Sequence, residues 1–287
     1  MKRGSRTPTD PKAEVRARLA DERGTLVRDA PERVALVYPS PYHVGMSSLG
    51  FQTIYREIHR TPQRTAERAF LPDDPGLYER TRTPLFTYEA ERPVGDFPVV
   101  ALSVAYELEL AGVVQTLELA GIPPLAEDRD DRHPFILGGG PLTFSNPLPL
   151  SPFVDAMLLG EADETIHTAL DIVFGTGSKE EARSVLAKEL PSAFVPGIHD
   201  GLELREMGRC PDDRLPVRSQ IRTPHMELLN MFLLEAERGC SRRCKYCVMR
   251  RSTNGGMRKV PMERILELIP EDADRVGLVG AAVSDHP

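Results

Sequence analysis

Short apolar runs alternate with stretches of helical periodicity along much of the chain. Uninterrupted apolar runs predict buried strands, and these lie at 34–38, 98–104, 135–137 and 154–159. Apolar positions at helical spacing predict helices at 49–58, at 108–119 and up to Phe174. Strands that alternate with helices are typical of a parallel sheet with helices on both faces. We therefore expect residues 33–175 to form a doubly wound α/β domain of the flavodoxin or Rossmann type.

Three further segments differ in character from this domain. Residues 1–32 are polar and highly charged, and they predict a tail or surface arm with room for one short helix between 11 and 22. Residues 176–226 contain a helix at 179–190 and many prolines, which predict a connector. Residues 227–287 begin a new unit. Its predicted elements are a strand at 231–236, a helix at 262–269 and a strand at 276–279.

Composition and charge exclude several classes of protein. Hydrophobic residues make up 40% of the chain and charged residues 28%, which is enough for a packed core. The net charge of −7 is too acidic for a general nucleic-acid binder. The chain has no apolar run of membrane-spanning length, and its first residues lack the apolar core of a secretory signal. We therefore expect a cytoplasmic protein that contacts no membrane.

Three of the four cysteines, Cys240, Cys244 and Cys247, lie within eight positions. This crowding does not suit a disulfide framework and predicts a metal or redox site in a reducing compartment. Thiolates on a short loop can converge on one centre, and such sets select zinc or iron–sulfur clusters. Two other interpretations stay open here: small buried side chains on one helix face, and a zinc site completed by Cys210 or a histidine.

The spacing C-x₃-C-x-aromatic-C directly after a strand resembles the signature of the radical S-adenosylmethionine (SAM) superfamily. The resemblance implies that Cys240, Cys244 and Cys247 hold a [4Fe-4S] cluster whose fourth iron binds the amino and carboxylate groups of SAM. It also implies reductive cleavage of SAM to methionine and a 5′-deoxyadenosyl radical, which acts on an unidentified substrate. Tyr246 matches the aromatic position near the adenine. The electron donor is then expected to be of the flavodoxin or ferredoxin type.

In the superfamily these cysteines belong to a TIM-type barrel, so residues 227–287 are expected to be its first βα units. The second strand of that barrel usually ends in a Gly-Gly-Glu stretch that binds the SAM amino group. Here Gly280, Ala281 and Ser284 occupy that place as candidate SAM contacts, and the acidic residue is displaced to Asp285. A full barrel takes about 250 residues, and few follow the cysteines. We therefore expect an incomplete barrel that does not turn over SAM by itself.

The α/β domain has a looser resemblance to the cobalamin-binding-type domain that precedes many radical SAM barrels. The resemblance rests on the strand ends at 99–104, 136–141 and 153–164. The cobalt-ligating signature Asp-x-His-x-x-Gly is missing, since Pro41 and Met46 flank His43 where Asp and Gly are needed. Cobalamin binding and a cofactor-free structural role both stay open. In the second case the glycines at 138–140 form a tight turn, and Glu161, Asp163 and Glu164 are charges at a helix N-terminus.

Eight Lys or Arg residues and no Asp or Glu lie between Arg238 and Lys259. Cations favour a negatively charged cluster, but they also suit a nucleic-acid patch. The alternative function is therefore a zinc-stabilised nucleic-acid-binding module, although nucleic acid is not the partner that the whole chain favours. Within the superfamily a methylthiotransferase is a further alternative, but its N-terminal domain carries three more cysteines, and this chain offers only Cys210.

Overall fold

A computed structural model of the chain describes residues 10–203, 205–242, 244–248 and 256–286. Its strands are β1 (Glu32–Tyr38), β2 (Arg64–Phe70), β3 (Val99–Ser103), β4 (Phe135–Gly139), β5 (Ala156–Leu158), β6 (Ala193–Phe194), β7 (Phe232–Glu235), β8 (Glu237–Arg238), β9 (Arg258–Lys259) and β10 (Val276–Val279). Its α-helices are α1 (Pro11–Ala20), α2 (Tyr42–Ser47), α3 (Leu49–Ile58), α4 (Pro75–Thr81), α5 (Leu110–Leu119), α6 (Leu142–Ser145), α7 (Thr165–Gly175), α8 (Lys179–Glu189) and α9 (Met262–Glu267). None of the helices in these ranges is long and apolar enough to cross a membrane.

The main sheet contains six strands in the order β2-β1-β3-β4-β5-β6. Strands β1 to β5 are parallel, and β6 runs antiparallel to β5. The side chains of β1, β3 and β4 are buried along most of each strand, as expected for a parallel sheet covered on both faces. The predicted α/β fold class is therefore confirmed. The strand order reverses between β1 and β3, which is where open sheets of this kind commonly bind ligands.

Strand β2 has no counterpart in the hydrophobic pattern of the sequence. All seven of its residues are buried, although they include Arg64, Glu67 and Arg68. The guanidinium of Arg68 lies 2.7 Å from a Glu22 carboxylate oxygen and 2.6 Å from one of Glu89. Arg64 pairs in the same way with two other carboxylates. Each buried cation is thus neutralised by residues distant in sequence, which allows a polar strand inside the sheet.

The described part of the predicted polar tail packs on this sheet. Asp10 caps α1 by accepting a hydrogen bond from the Lys12 N–H at 2.9 Å, and a proline occupies the first helical position. Val15 is buried, and Glu22 supplies one of the two carboxylates that hold Arg68. Residues 10–22 are therefore packed against the domain and do not form a free surface arm, because Val15 is buried and Glu22 pairs with Arg68 of β2.

The later part of the chain forms a small second unit around the cysteines. Strand β7 pairs in parallel with β10, and β8 pairs antiparallel with β9. A separate apolar cluster joins these elements to α9, and its members are Leu215, Phe232, Leu234, Ala236, Val260 and Ile265. The order strand, loop, helix and strand agrees with the elements that the sequence predicts here. The boundaries of the domains remain predictions.

Candidate metal and cofactor site

The three clustered cysteines lie in one loop that is closed at its base by two short strands. Glu237 pairs with Lys259 and Arg238 with Arg258, so residues 239–257 form the connection between β8 and β9. The loop begins at Gly239, whose φ of 92° lies in the left-handed region that favours glycine. Because β8 directly follows β7, the loop lies beyond the carboxyl end of a strand of the parallel pair.

The thiols of this loop are free and partly exposed. The Arg242 N–H lies 3.4 Å from Cys240 Sγ, and the Cys247 N–H donates to the Cys244 carbonyl at 3.2 Å. In the part of the chain that the structure describes, no group of three or more His, Cys, Asp or Glu side chains is arranged to hold a metal ion. The loop therefore supplies three soft donors of the right chemistry, and their convergence on one centre stays a prediction.

Cys210 differs from the other three cysteines. It is fully buried, and burial raises the pKa of its thiol to about 12. Its Sγ is directed at the Pro211 carbonyl at 3.5 Å. A buried thiol with a raised pKa is less reactive than the partly exposed thiols of the loop, so Cys210 fits a structural role.

The segment after β10 lies beside the cysteine loop. Asp285 forms two hydrogen bonds with the Arg242 guanidinium, at 2.7 and 2.8 Å, and these bonds lower the pKa of the Asp285 carboxyl. The candidate SAM contacts Gly280, Ala281 and Ser284 are exposed at this edge. Their assignment as SAM contacts stays a prediction, and their position beside the loop is compatible with it.

A buried carboxylate that the sequence analysis did not single out supports this segment. Glu237 is almost fully buried, and its Oε1 accepts a hydrogen bond from the Ala282 N–H at 2.7 Å. Its other oxygen is buried without a hydrogen-bond partner among the described residues. A Cβ at Gly280 would collide with the Glu237 carboxylate in its present position, so a larger residue there would have to displace that side chain. Nothing in the local pattern marks Glu237, because the residues it contacts come more than forty positions later.

Three of the five described basic residues between Arg238 and Lys259 form ion pairs with protein carboxylates. Arg238 pairs with Glu235, Arg242 with Asp285, and Arg258 with Asp212 and Glu161. Arg243, Arg250 and Arg251 lie outside the described residues. The guanidinium groups of these three arginines are engaged by the protein itself, so these three do not favour a nucleic-acid patch.

An open cleft separates the cysteine loop from the α/β domain. It has a volume of about 630 Å³, and its lining residues are Phe144, Ser145, Asn146, Lys245, Tyr246, Cys247 and Val248. The first three belong to α6 and the residue after it, beyond the carboxyl end of β4. Tyr246 is 91% exposed and borders this space. The cleft therefore places the third cysteine opposite the carboxyl edge of the main sheet.

Protein groups occupy the place beyond the carboxyl ends of β1 and β3, where the strand order reverses. Glu109 is buried there, and its carboxylate accepts hydrogen bonds from the Ala105 N–H at 2.6 Å and from the Ser40 hydroxyl at 3.1 Å. A Cβ at Gly112 would collide with the Pro39 carbonyl, which shows how closely α5 approaches the end of β1.

Two features that bear on cobalamin binding, the glycine turn at 138–140 and His43, have contacts within the protein. Gly140 has a φ of 101°, and a Cβ there would lie 2.6 Å from the Val104 carbonyl oxygen, so close packing requires this glycine. His43 lies in α2, with its Nδ1 4.0 Å from an Asp73 carboxylate oxygen. Glu161, Asp163 and Glu164 precede α7, and each has an arginine partner: the first two face Arg238, and Glu164 faces Arg214.

Comparisons with known proteins agree with this arrangement. The radical SAM methyltransferase TsrM from Kitasatospora setae, solved with tryptophan and a SAM analog, aza-SAM, has a similar fold, with a TM-score of 0.51 and 12% identity over 88% of this chain and 49% of that chain. An uncharacterized protein of Methanocaldococcus jannaschii is 20% identical over 220 residues, which are 76% of this chain and 41% of that protein. The chain thus spans less than half the length of either protein. The family described as radical SAM proteins, N-terminal, matches residues 50–197, more than half of the chain, which therefore belongs to the radical SAM family.

Proposed function

We propose that the chain is the N-terminal portion of a radical SAM enzyme whose [4Fe-4S] cluster is held by Cys240, Cys244 and Cys247. The observation that carries the proposal is the position of three free thiols in one loop at the carboxyl end of β7, in a chain of this family. Such a cluster, when bound, supplies the electron that cleaves SAM reductively to methionine and a 5′-deoxyadenosyl radical.

The described residues around the loop have roles that suit this chemistry. The backbone N–H of Arg242 is directed at Cys240 Sγ, and hydrogen bonds to cluster sulfurs tune the reduction potential. Lys245 and Lys259 add positive charge that favours an anionic centre. In this proposal Tyr246 lies against the adenine of SAM, and Gly280, Ala281 and Ser284 contact its methionine part. An electron donor of the flavodoxin or ferredoxin type would reach the cluster from solvent.

The cleft that Cys247 lines is the proposed place of the second reactant. The resemblance of the α/β domain to cobalamin-binding domains, and the fold shared with the methyltransferase TsrM, favour a corrinoid there and a methyl transfer. The lining of the cleft holds no histidine among its described residues, so a corrinoid in it would have no imidazole ligand from this lining. In the absence of cobalamin, the same cleft would receive the substrate directly.

Anaerobic reconstitution with iron and sulfide tests the cluster assignment. We expect a brown protein with thiolate-to-iron charge-transfer absorption, and a reduced electron paramagnetic resonance (EPR) spectrum that changes when SAM is added. Cys244→Ala should abolish iron binding because it removes one of three ligands. Cys210→Ala is the matched control, and it should leave the iron content unchanged. Iron bound equally well by Cys244→Ala, or a colourless protein that binds zinc, would overturn the proposal.

A further inference from the structure

We infer that Glu161 is a positioning residue through which the α/β domain holds the base of the cysteine loop. Glu161 follows β5, and its side chain is only 6% exposed. One carboxylate oxygen pairs with Arg258 of β9, and the other lies 3.3 Å from Arg238 of β8. A single buried side chain of the main domain therefore bridges the two strands that close the loop.

The two arginines need such a bridge. Arg238 and Arg258 are directly paired across the two strands, and like charges in that position repel each other. Both side chains are mostly buried, so water screens the repulsion poorly. Arg238 has further carboxylate partners in Glu235 and Asp163, whereas the other carboxylate partner of Arg258, Asp212, is exposed. Glu161 is therefore the buried carboxylate that contacts both arginines, and we infer that it stabilises the pairing of β8 with β9.

Glu161 is itself fixed by the backbone around it. Its N–H donates to the Gly208 carbonyl at 2.9 Å, and its carboxylate accepts a hydrogen bond from the Cys210 N–H at 2.8 Å. The preceding residue, Gly160, has a φ of 89°, and a Cβ there would lie 2.6 Å from Gly208. Its N–H lies 3.2 Å from the hydroxyl of Thr143 in α6. The carboxylate therefore projects from a segment that is hydrogen-bonded to residues 208–210 and to the cleft-lining helix α6.

Through these contacts Glu161 helps to set the position of the cysteine loop relative to the cleft. The α/β domain contacts the loop at its base through Glu161, and it faces the loop across the cleft through α6. Only the effect on a cluster rests on the proposed function, because the bridge itself involves no metal.

The first test uses the full chain without iron and measures the labelling rates of Cys240, Cys244 and Cys247 together with hydrogen exchange at 237–242 and 256–260. Glu161→Gln removes the charge at nearly constant volume. We expect labelling and exchange to rise about tenfold, because a buried hydrogen bond to a charged group is lost. Asp212→Asn is the matched control, since it removes the exposed partner of the same Arg258, and its effect should be small.

Two further variants show whether the effect comes from the bridge. Adding Arg258→Met to Glu161→Gln removes the like-charge pair, so labelling should fall back toward the wild-type rate. Glu161→Asp keeps the charge but shortens the side chain by one methylene, so we expect a cysteine labelling rate between those of the wild type and Glu161→Gln. This variant still tests the inference if Glu161→Gln fails to fold. Unchanged labelling in both single variants at Glu161 would overturn the inference.

Reconstituted protein separates this inference from the proposed function. A shifted reduction potential or EPR spectrum in Glu161→Gln, at unchanged iron content, is expected if both hold. A wild-type chain that binds no iron, but whose loop still loosens in Glu161→Gln, would defeat only the proposed function. Normal cluster binding with no change in loop labelling or spectrum would defeat only the role of Glu161.

Discussion

A single buried charged residue, Arg68, has a large electrostatic effect on the stability of this protein. Arg68 has no exposed surface, contacts Glu22 and Glu89, and lies over the ring of Tyr55 at 5.1 Å. Removing one partner from such a group leaves the others charged in a medium of low dielectric constant. The network around Arg68 thus joins β2 to the segment after α1 and to the loop before β3.

We predict that Arg68→Met lowers the free energy of unfolding by about 3–5 kcal/mol, since it strands two buried carboxylates. Urea denaturation followed by circular dichroism measures the change. The matched control is Arg80→Met, which breaks an exposed ion pair with Asp74 and should have little effect. Equal stability of the two variants would contradict the importance of the buried network.

At the scale of elements, close backbone contacts decide where side chains are tolerated. Helix α5 approaches the end of β1 so closely that Gly112 has no room for a Cβ against Pro39. Gly50 in α3 has open space around the same position. The two helical glycines therefore differ in whether a Cβ would meet backbone or open space.

We predict opposite effects of alanine at these two glycines. Gly112→Ala should cost about 1–3 kcal/mol of stability, because α5 must move away from the β1 end. Gly50→Ala should raise stability by up to about 1 kcal/mol, since alanine reduces the freedom of the unfolded chain. Thermal unfolding of both variants measures the difference, and a stabilised Gly112→Ala would show that the contact is loose.

The sequence predicted those elements whose signal is local. The apolar runs identified β1, β3, β4, β7 and β10, and helical spacing identified α3 and α7. Strand β2 was missed because its arginines become compatible with burial only through carboxylates distant in the sequence. Arg68 pairs with Glu22 and Glu89, and Arg64 pairs with Glu32 and Asp171. The same reason hides Glu237 and the arginine partners of Glu161, which the sequence marks only as a charge near a helix N-terminus. The spacing of the cysteines alone was enough to select the loop.

At the scale of the whole molecule, the fold determines which protein groups can reach a cofactor. The cleft at the cysteine loop lies at the carboxyl end of β4, whereas His43 follows β1 and has Asp73 near its ring. A cobalamin in this cleft would therefore lack the histidine ligand of the Asp-x-His-x-x-Gly type.

We predict that any cobalamin retained by the chain shows no nitrogen superhyperfine splitting from a protein imidazole in the EPR spectrum of its Co(II) state. His43→Ala should leave that spectrum unchanged, because the side chain is not expected to contact cobalt. Splitting that is present in the wild type and lost in His43→Ala would contradict the assignment. Complete failure to retain cobalamin would instead favour the cofactor-free role of the domain.

The pairing of β8 with β9 has a consequence for how a cluster could be gained and lost. Both ends of the cysteine loop are already joined at hairpin distance by protein groups alone. The chain entropy of closing this loop is therefore lost on folding and not when a cluster forms. In small zinc domains the metal drives folding, and a chelator unfolds them. In this protein the base of the loop would stay folded when a cluster is lost by oxidation. A new cluster could therefore assemble on the same loop without refolding of the chain.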